Sequence, residues 1–132
     1  MQFKQRTVLV VEDEALIRLC LVAALEDTGF EVLEAANGLQ AIGLLGTRHV
    51  DAIVTDVDMP GGVDGFDLIN LVARDGHIQV KIVTSGGHRP TSQELPDGVR
   101  FISKPYRLED VLGEIGRQLD EAARVGSLSM AG

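Results

Sequence analysis

The sequence predicts an α/β fold, a five-stranded parallel sheet covered by helices on both faces. Five short apolar runs carry the first half of that expectation: Val8 to Val11, Val32 to Ala36, Ala52 to Thr55, Val80 to Thr84 and Val99 to Ile102. None alternates strictly between apolar and polar residues, which suits strands buried on both faces. Helix-length segments separate most of the runs, and a strand, helix, strand rhythm implies right-handed crossovers between parallel strands. A chain of 132 residues, 45% of them hydrophobic, is long enough for one core. No internal repeat or linker divides it.

The elements follow in order. The first strand runs into Glu12-Asp13, and "EALIRLCLVAALEDTG" reads as the first helix. A helical wheel that places Glu14 and Arg18 outside also places Val22 and Leu25 there, so this helix is apolar nearly all round and calls for a partner. Cys20, the only cysteine, excludes an intramolecular disulfide and reads as a small core residue. Asn37-Gly38 opens a second helix with Leu39, Ile42 and Leu45 at helical spacing, and a third runs from about Gly65 to Ala73 with Phe66, Ile69 and Val72 on one side. Two prolines and little periodicity in "GGHRPTSQELPDG", residues 86–98, predict a fourth helix that is short or disordered. Leu108, Val111, Leu112, Ile115 and Leu119 mark a C-terminal amphipathic helix. One domain is expected over 1–132, with its core at about 6–120 and a frayed tail at 121–132 that ends in "GSLSMAG".

Twenty acids against 12 bases give a net charge of -8, which argues against a nucleic-acid partner, since such proteins usually present a basic patch. The apolar run near the N-terminus is too short for a signal-peptide core or a membrane span, so no membrane partner and a reducing, cytoplasmic location are expected.

In open parallel sheets, functional groups gather outside the carboxyl ends of the strands. Those ends are Glu12-Asp13, Asp56, Thr84-Ser85-Gly86 and Ser103-Lys104-Pro105. Carboxylates brought together there repel by about 1 kcal/mol per pair at roughly 4 Å in water, and about 4 at an effective dielectric near 20. A divalent cation relieves that repulsion. Magnesium takes one or two carboxylates with waters and phosphate oxygens, whereas zinc wants His or Cys, and His49, His77 and His88 do not cluster in sequence with the acids. With Mg2+ present, Asp56 can act as an oxygen nucleophile toward phosphorus, while Lys104 and a hydroxyl stabilise the transferred oxygens.

Glu12-Asp13, Asp56 followed by "DMPGGVDG", Ser85-Gly86 and Lys104-Pro105, in that order and each at a strand end, resemble the receiver domain of bacterial two-component response regulators, over roughly residues 6 to 120. The resemblance implies a flavodoxin-like fold and a phosphoryl group taken, with Mg2+, from a phosphohistidine on a sensor histidine kinase or a histidine phosphotransfer protein. It makes Asp56 the phosphoacceptor, Asp13 the direct metal ligand, Glu12 the holder of a metal-bound water and Asp58 a backbone-carbonyl ligand. Ser85 matches the hydroxyl that swings toward the phosphoryl group, Lys104 its cationic partner, and Phe101 the aromatic that changes rotamer with it. The first helix of receivers commonly docks the donor helices, which assigns Leu16, Val22 and Leu25 to a partner surface. The chain is expected to be a stand-alone, single-domain receiver without an output domain, the variant being a receiver excised from a hybrid kinase. Its downstream protein target leaves no mark in the sequence, and a homodimer stays open.

Two departures stand out. "MPGGVDG" is one residue longer than the usual family loop, with Gly61-Gly62 free to take positive φ, and the small Gly87 offers little shielding to a phosphoaspartate. Two rivals are distinguishable. Asp56-Val57-Asp58 superficially fits the D-x-D pair of haloacid-dehalogenase-type phosphatases, which would turn over added phosphomonoesters but would leave Glu12-Asp13 unexplained. A flavin-binding flavodoxin would be yellow, and one Tyr with four Phe provides few aromatics to flank the ring.

Overall fold

The computed structural model describes residues 5–87 and 95–131, with side chains described as far as residue 124. Strands β1 (Thr7–Val11), β2 (Glu31–Ala35), β3 (Ala52–Asp56), β4 (Val80–Ser85) and β5 (Val99–Ser103) alternate with helices α1 (Ala15–Asp27), α2 (Gly38–Leu45) and α3 (Gly65–Val72), and α4 (Leu108–Ala131) follows β5. The five strands form one sheet in the order β2-β1-β3-β4-β5, every pair parallel. This is the flavodoxin-like architecture. The order reverses between β1 and β3, and that switch point opens a crevice at the carboxyl ends of the two strands.

Alternation along the strands sorts the core into two layers. Leu9, Val11, Ile53 and Val83 face α2 and α3, where Ala41, Leu68, Ile69 and Val72 cover them. Val8, Val10, Val54, Val80 and Ile82 face the other way, onto Leu21, Val22 and Leu25 of α1 and Val111 and Ile115 of α4. Each fully buried Leu or Ile contributes about 1.5–3 kcal/mol to holding the helices on the two faces of the sheet.

Local chemistry sets the helix starts. Asn37 accepts from the Gln40 N–H at 2.9 Å while the Gln40 side chain accepts from the Ala36 N–H at 2.8 Å. Asp64 and Asp67 form a reciprocal capping box on α3. At the opposite end of the sheet, the buried Asp51 accepts from the Thr7 N–H at 2.8 Å, contacts His49 Nε2 at 2.9 Å and lies 3.9 Å from Arg6. Burial opposes charge on Asp51, but the Thr7 amide, His49 and Arg6 outweigh it and hold its carboxyl below the usual range. A depressed folded-state pKa contributes stability that is present above the unfolded value near ~3.9 and is lost as pH falls through the folded one. Asp51→Ala is therefore expected to cost about 1–3 kcal/mol at neutral pH, because it strands a buried amide. The deficit should shrink below about pH 4, and urea melts across pH would show it.

Two expectations are corrected here, and a third lies beyond the described residues. Cys20 is exposed rather than core, because α1 turns its 21, 22 and 25 positions to the sheet. The segment 121–132 does not fray at its start but continues α4 to Ala131. Arg117 links Glu114 and Glu121 one turn apart on each side, and no proline follows Pro105 to stop the helix. The short or disordered fourth helix expected within 86–98 falls largely on 88–94, outside the described residues. Among the described residues, no helix is long and apolar enough to cross a membrane.

Candidate functional site

Four strand ends build the site. β1 delivers Glu12 and Asp13, β3 ends in Asp56, β4 ends in Ser85, and Lys104 leaves β5 ahead of a cis bond to Pro105. Carboxylate oxygens of Glu12, Asp13 and Asp56 lie within 4.8 Å of one another. Glu12 and Asp56 are buried and Asp13 is exposed, so the cluster has a closed floor and an open mouth. Hard oxygen donors at this spacing fit a Mg2+ ion with part of its water shell retained.

Lys104 spans the floor. Its Nζ stands 2.6 Å from Glu12 Oε1 and 3.2 Å from Asp56 Oδ2. Burial is the largest influence on both acids and pushes both carboxyls up, against the opposing pull of Lys104. Burial would lower Lys104, but its bond to Glu12 and the charge of Asp56 outweigh that and hold the ammonium above its usual value. The arrangement is a cation shared between two acids whose charge burial disfavours, so both carboxylates depend on Lys104.

The surrounding backbone is fixed by close approach. A Cβ on Gly65 would lie 2.2 Å from the Asp56 carbonyl oxygen, and one on Gly38 would lie 2.7 Å from Val63. Only glycine lets α3 start against the end of β3 and α2 start against the following loop. Between these contacts Gly61 adopts φ 101°, the positive angle foreseen for the lengthened loop.

The predicted residues divide plainly. Glu12, Asp13, Asp56 and Lys104 converge on one rim. Ser85 is buried beside them, but its hydroxyl donates to Asp58 Oδ2 at 2.9 Å. Asp58, predicted to act through its carbonyl, thus also uses its side chain, and its N–H points back to Asp56 Oδ1 at 3.3 Å. Phe101 is half-buried, paired in register with Val83 and packed on the α2/α3 layer.

The partner surface needs correction. Val22 and Leu25, at 7% and 0% exposure, belong to the core, whereas Leu16 is 75% and Leu19 56% exposed. Of Glu14 and Arg18, the two residues that place the polar side of the wheel, Arg18 does not face open solvent. Its guanidinium donates to the Glu12 carbonyl at 2.6 Å and pairs with Glu34 at 3.3 Å. Leu16, Ile17, Cys20, Lys104, Tyr106 and Leu108 line an apolar groove of about 590 Å³ that opens beside Lys104.

Arg18, Leu19 and Tyr106 went unpredicted. The position of Arg18 one turn past the acids and of Tyr106 two residues past Lys104 were the available signals.

The fold and the rim define a receiver module, and comparison with known proteins gives the same class. The family model for the response regulator receiver domain matches residues 8–115, and the chain belongs to that family. A transcriptional regulatory protein of Mycobacterium tuberculosis, PdtaR, is 31% identical over 113 residues, covering 83% of this chain and 55% of the relative. The chain thus spans about half the length of that relative. Sporulation initiation phosphotransferase F of Bacillus subtilis is 27% identical over 115 residues, covering 85% of this chain and 92% of that protein. Among solved structures, the chemotaxis response regulator CheY4 of Vibrio cholerae superimposes with a TM-score of 0.75 at 26% identity, over 87% of this chain and 99% of the other.

Proposed function

We propose that the chain is the phosphoacceptor of a two-component or phosphorelay system, acting in the cytoplasm on a phosphoryl group carried by a histidine kinase or histidine phosphotransfer protein. The observation that carries this reading is the position of Asp56, a buried strand-end carboxylate 3.2 Å from a lysine and within 4.8 Å of two further acids. An Asp56 oxygen attacks phosphorus, the phosphorus–nitrogen bond of the donor breaks, and its electron pair returns to the imidazole. Asp13, Asp56 and the Asp58 carbonyl would hold Mg2+, with Glu12 on a metal-bound water, and the bound ion would supply charge neutralisation for the phosphoryl oxygens. Lys104 shifts from carboxylate to phosphoryl oxygen, Ser85 donates to a second oxygen, and Phe101 follows into the space that Ser85 vacates. The chain is a signalling acceptor, not a turnover enzyme, and passes its state to a protein target.

Intact mass after incubation with acetyl phosphate tests this. One Mg2+-dependent phosphoryl adduct that decays slowly is expected. Sustained hydrolysis of an added phosphomonoester would instead point to a phosphatase.

Leu16 and Leu19, with the groove beside Lys104, form the face on which a histidine-bearing helix pair docks. Leu16→Glu is expected to slow transfer from a phosphorylated histidine donor by about tenfold or more, as loss of a central apolar anchor does. Its labelling by acetyl phosphate and its melting temperature should match wild type. Equal rates from the protein donor would remove this face from the interface.

A further inference from the structure

The hydroxyl expected to meet the phosphoryl group is already committed elsewhere. Ser85 Oγ donates to Asp58 Oδ2 at 2.9 Å. Asp58 lies exposed on the loop leaving β3, and its N–H contacts Asp56 Oδ1 at 3.3 Å. One residue thus touches both the acceptor carboxylate and the switch hydroxyl. A serine hydroxyl has a single proton to donate. While that proton rests on Asp58 it cannot be given to an oxygen on Asp56.

We infer that the Asp58 carboxylate is a latch, a positioning residue that holds Ser85 in the unphosphorylated arrangement and must be displaced by a phosphoryl oxygen. This rests on the phosphoacceptor reading of Asp56. The geometry suits the role. Asp58 is anchored at its own N–H, and the base of its loop is fixed where Gly65 meets the Asp56 carbonyl. The switch therefore exchanges one charge-assisted hydrogen bond for another. Because the Asp58 carboxylate, unlike its backbone carbonyl, stabilises only the resting arrangement, it weakens the response to any ligand that needs the other one.

Beryllofluoride, which adds to an acceptor aspartate as a phosphoryl mimic, is the probe. It is titrated with Mg2+ into wild type, Asp58→Ala, Ser85→Ala and the double variant, with the Phe101 resonances as readout. Asp58→Ala is expected to tighten apparent affinity by roughly three- to tenfold, the worth of one hydrogen bond. In the Ser85→Ala background the same change should alter affinity by less than about twofold, since the latch has nothing to hold. Asp58→Asn, which keeps an acceptor without its charge, should fall between. An equal gain in both backgrounds would overturn the latch in favour of simple charge removal, and no gain in Asp58→Ala would overturn it outright. A wild type that binds no beryllofluoride would remove the phosphoacceptor reading together with the latch, so the two failures are told apart.

Discussion

Asp56→Asn is expected to carry no phosphoryl adduct after acetyl phosphate treatment and to melt no lower than wild type. Both halves follow from the same geometry. The amide is nearly isosteric with the carboxylate but offers phosphorus no anionic oxygen, so loss of the adduct should be complete rather than partial. Stability moves the other way. Burial is the largest influence on Asp56 and pushes its carboxyl up, which means that the folded state disfavours its charge as pH rises through the carboxylate range. The substitution removes that charge while Lys104 keeps Glu12 at 2.6 Å. Thermal melts at neutral pH should therefore be unchanged or raised, by up to about 2 kcal/mol. An adduct persisting in the variant would mean that another group accepts the phosphoryl.

Lys104→Met has the opposite thermodynamic effect. Glu12 and Asp56, with side chains only 4% and 5% exposed, would share the floor with no cation between them. Removing one partner from a buried charged set costs about 3–5 kcal/mol, which in a domain of this size lowers the melting temperature by roughly 10–20 °C. Methionine keeps most of the aliphatic stem, so the loss reports charge more than packing. Two rescues distinguish this from a general packing defect. Lowering the pH should narrow the gap, since both acids are already pushed toward the protonated form by burial. Adding Mg2+ should raise the melting temperature of the variant more than that of wild type, because the ion takes over the role of the missing ammonium. A variant that melts with wild type and gains nothing from Mg2+ would show that Lys104 does not carry the charge balance of the site.

Strand positions were legible because a parallel sheet buried on both faces writes itself as uninterrupted apolar runs; each run lies within a residue or so of its strand. The rim was legible for a related reason. Acids and a lysine at the ends of such runs have no packing purpose. The face of α1 was not legible, because a charged residue is a sound marker of solvent only when nothing nearby wants its charge. Arg18 is drawn inward by the Glu12 carbonyl and Glu34, which rotates the exposed side to Leu16, Leu19 and Cys20. The side-chain role of Asp58 was hidden because its bond to Ser85 joins residues 27 apart in sequence. Neither spacing nor propensity encodes a contact of that kind. Strand order β2-β1-β3-β4-β5 likewise rests on crossover geometry that single-run reading does not reach.

The paired glycine contacts at Gly38 and Gly65 have a bearing on how this scaffold can be altered. They pin the two ends of the loop between β3 and α3 against fixed backbone, one at Val63 and one at the Asp56 carbonyl. The stretch between them, with Pro60, Gly61 and Gly62 exposed at its tip, can change length without levering on Asp56. The same tip is the place where a reporter peptide or an affinity handle could be spliced in next to the acidic rim while leaving its alignment undisturbed.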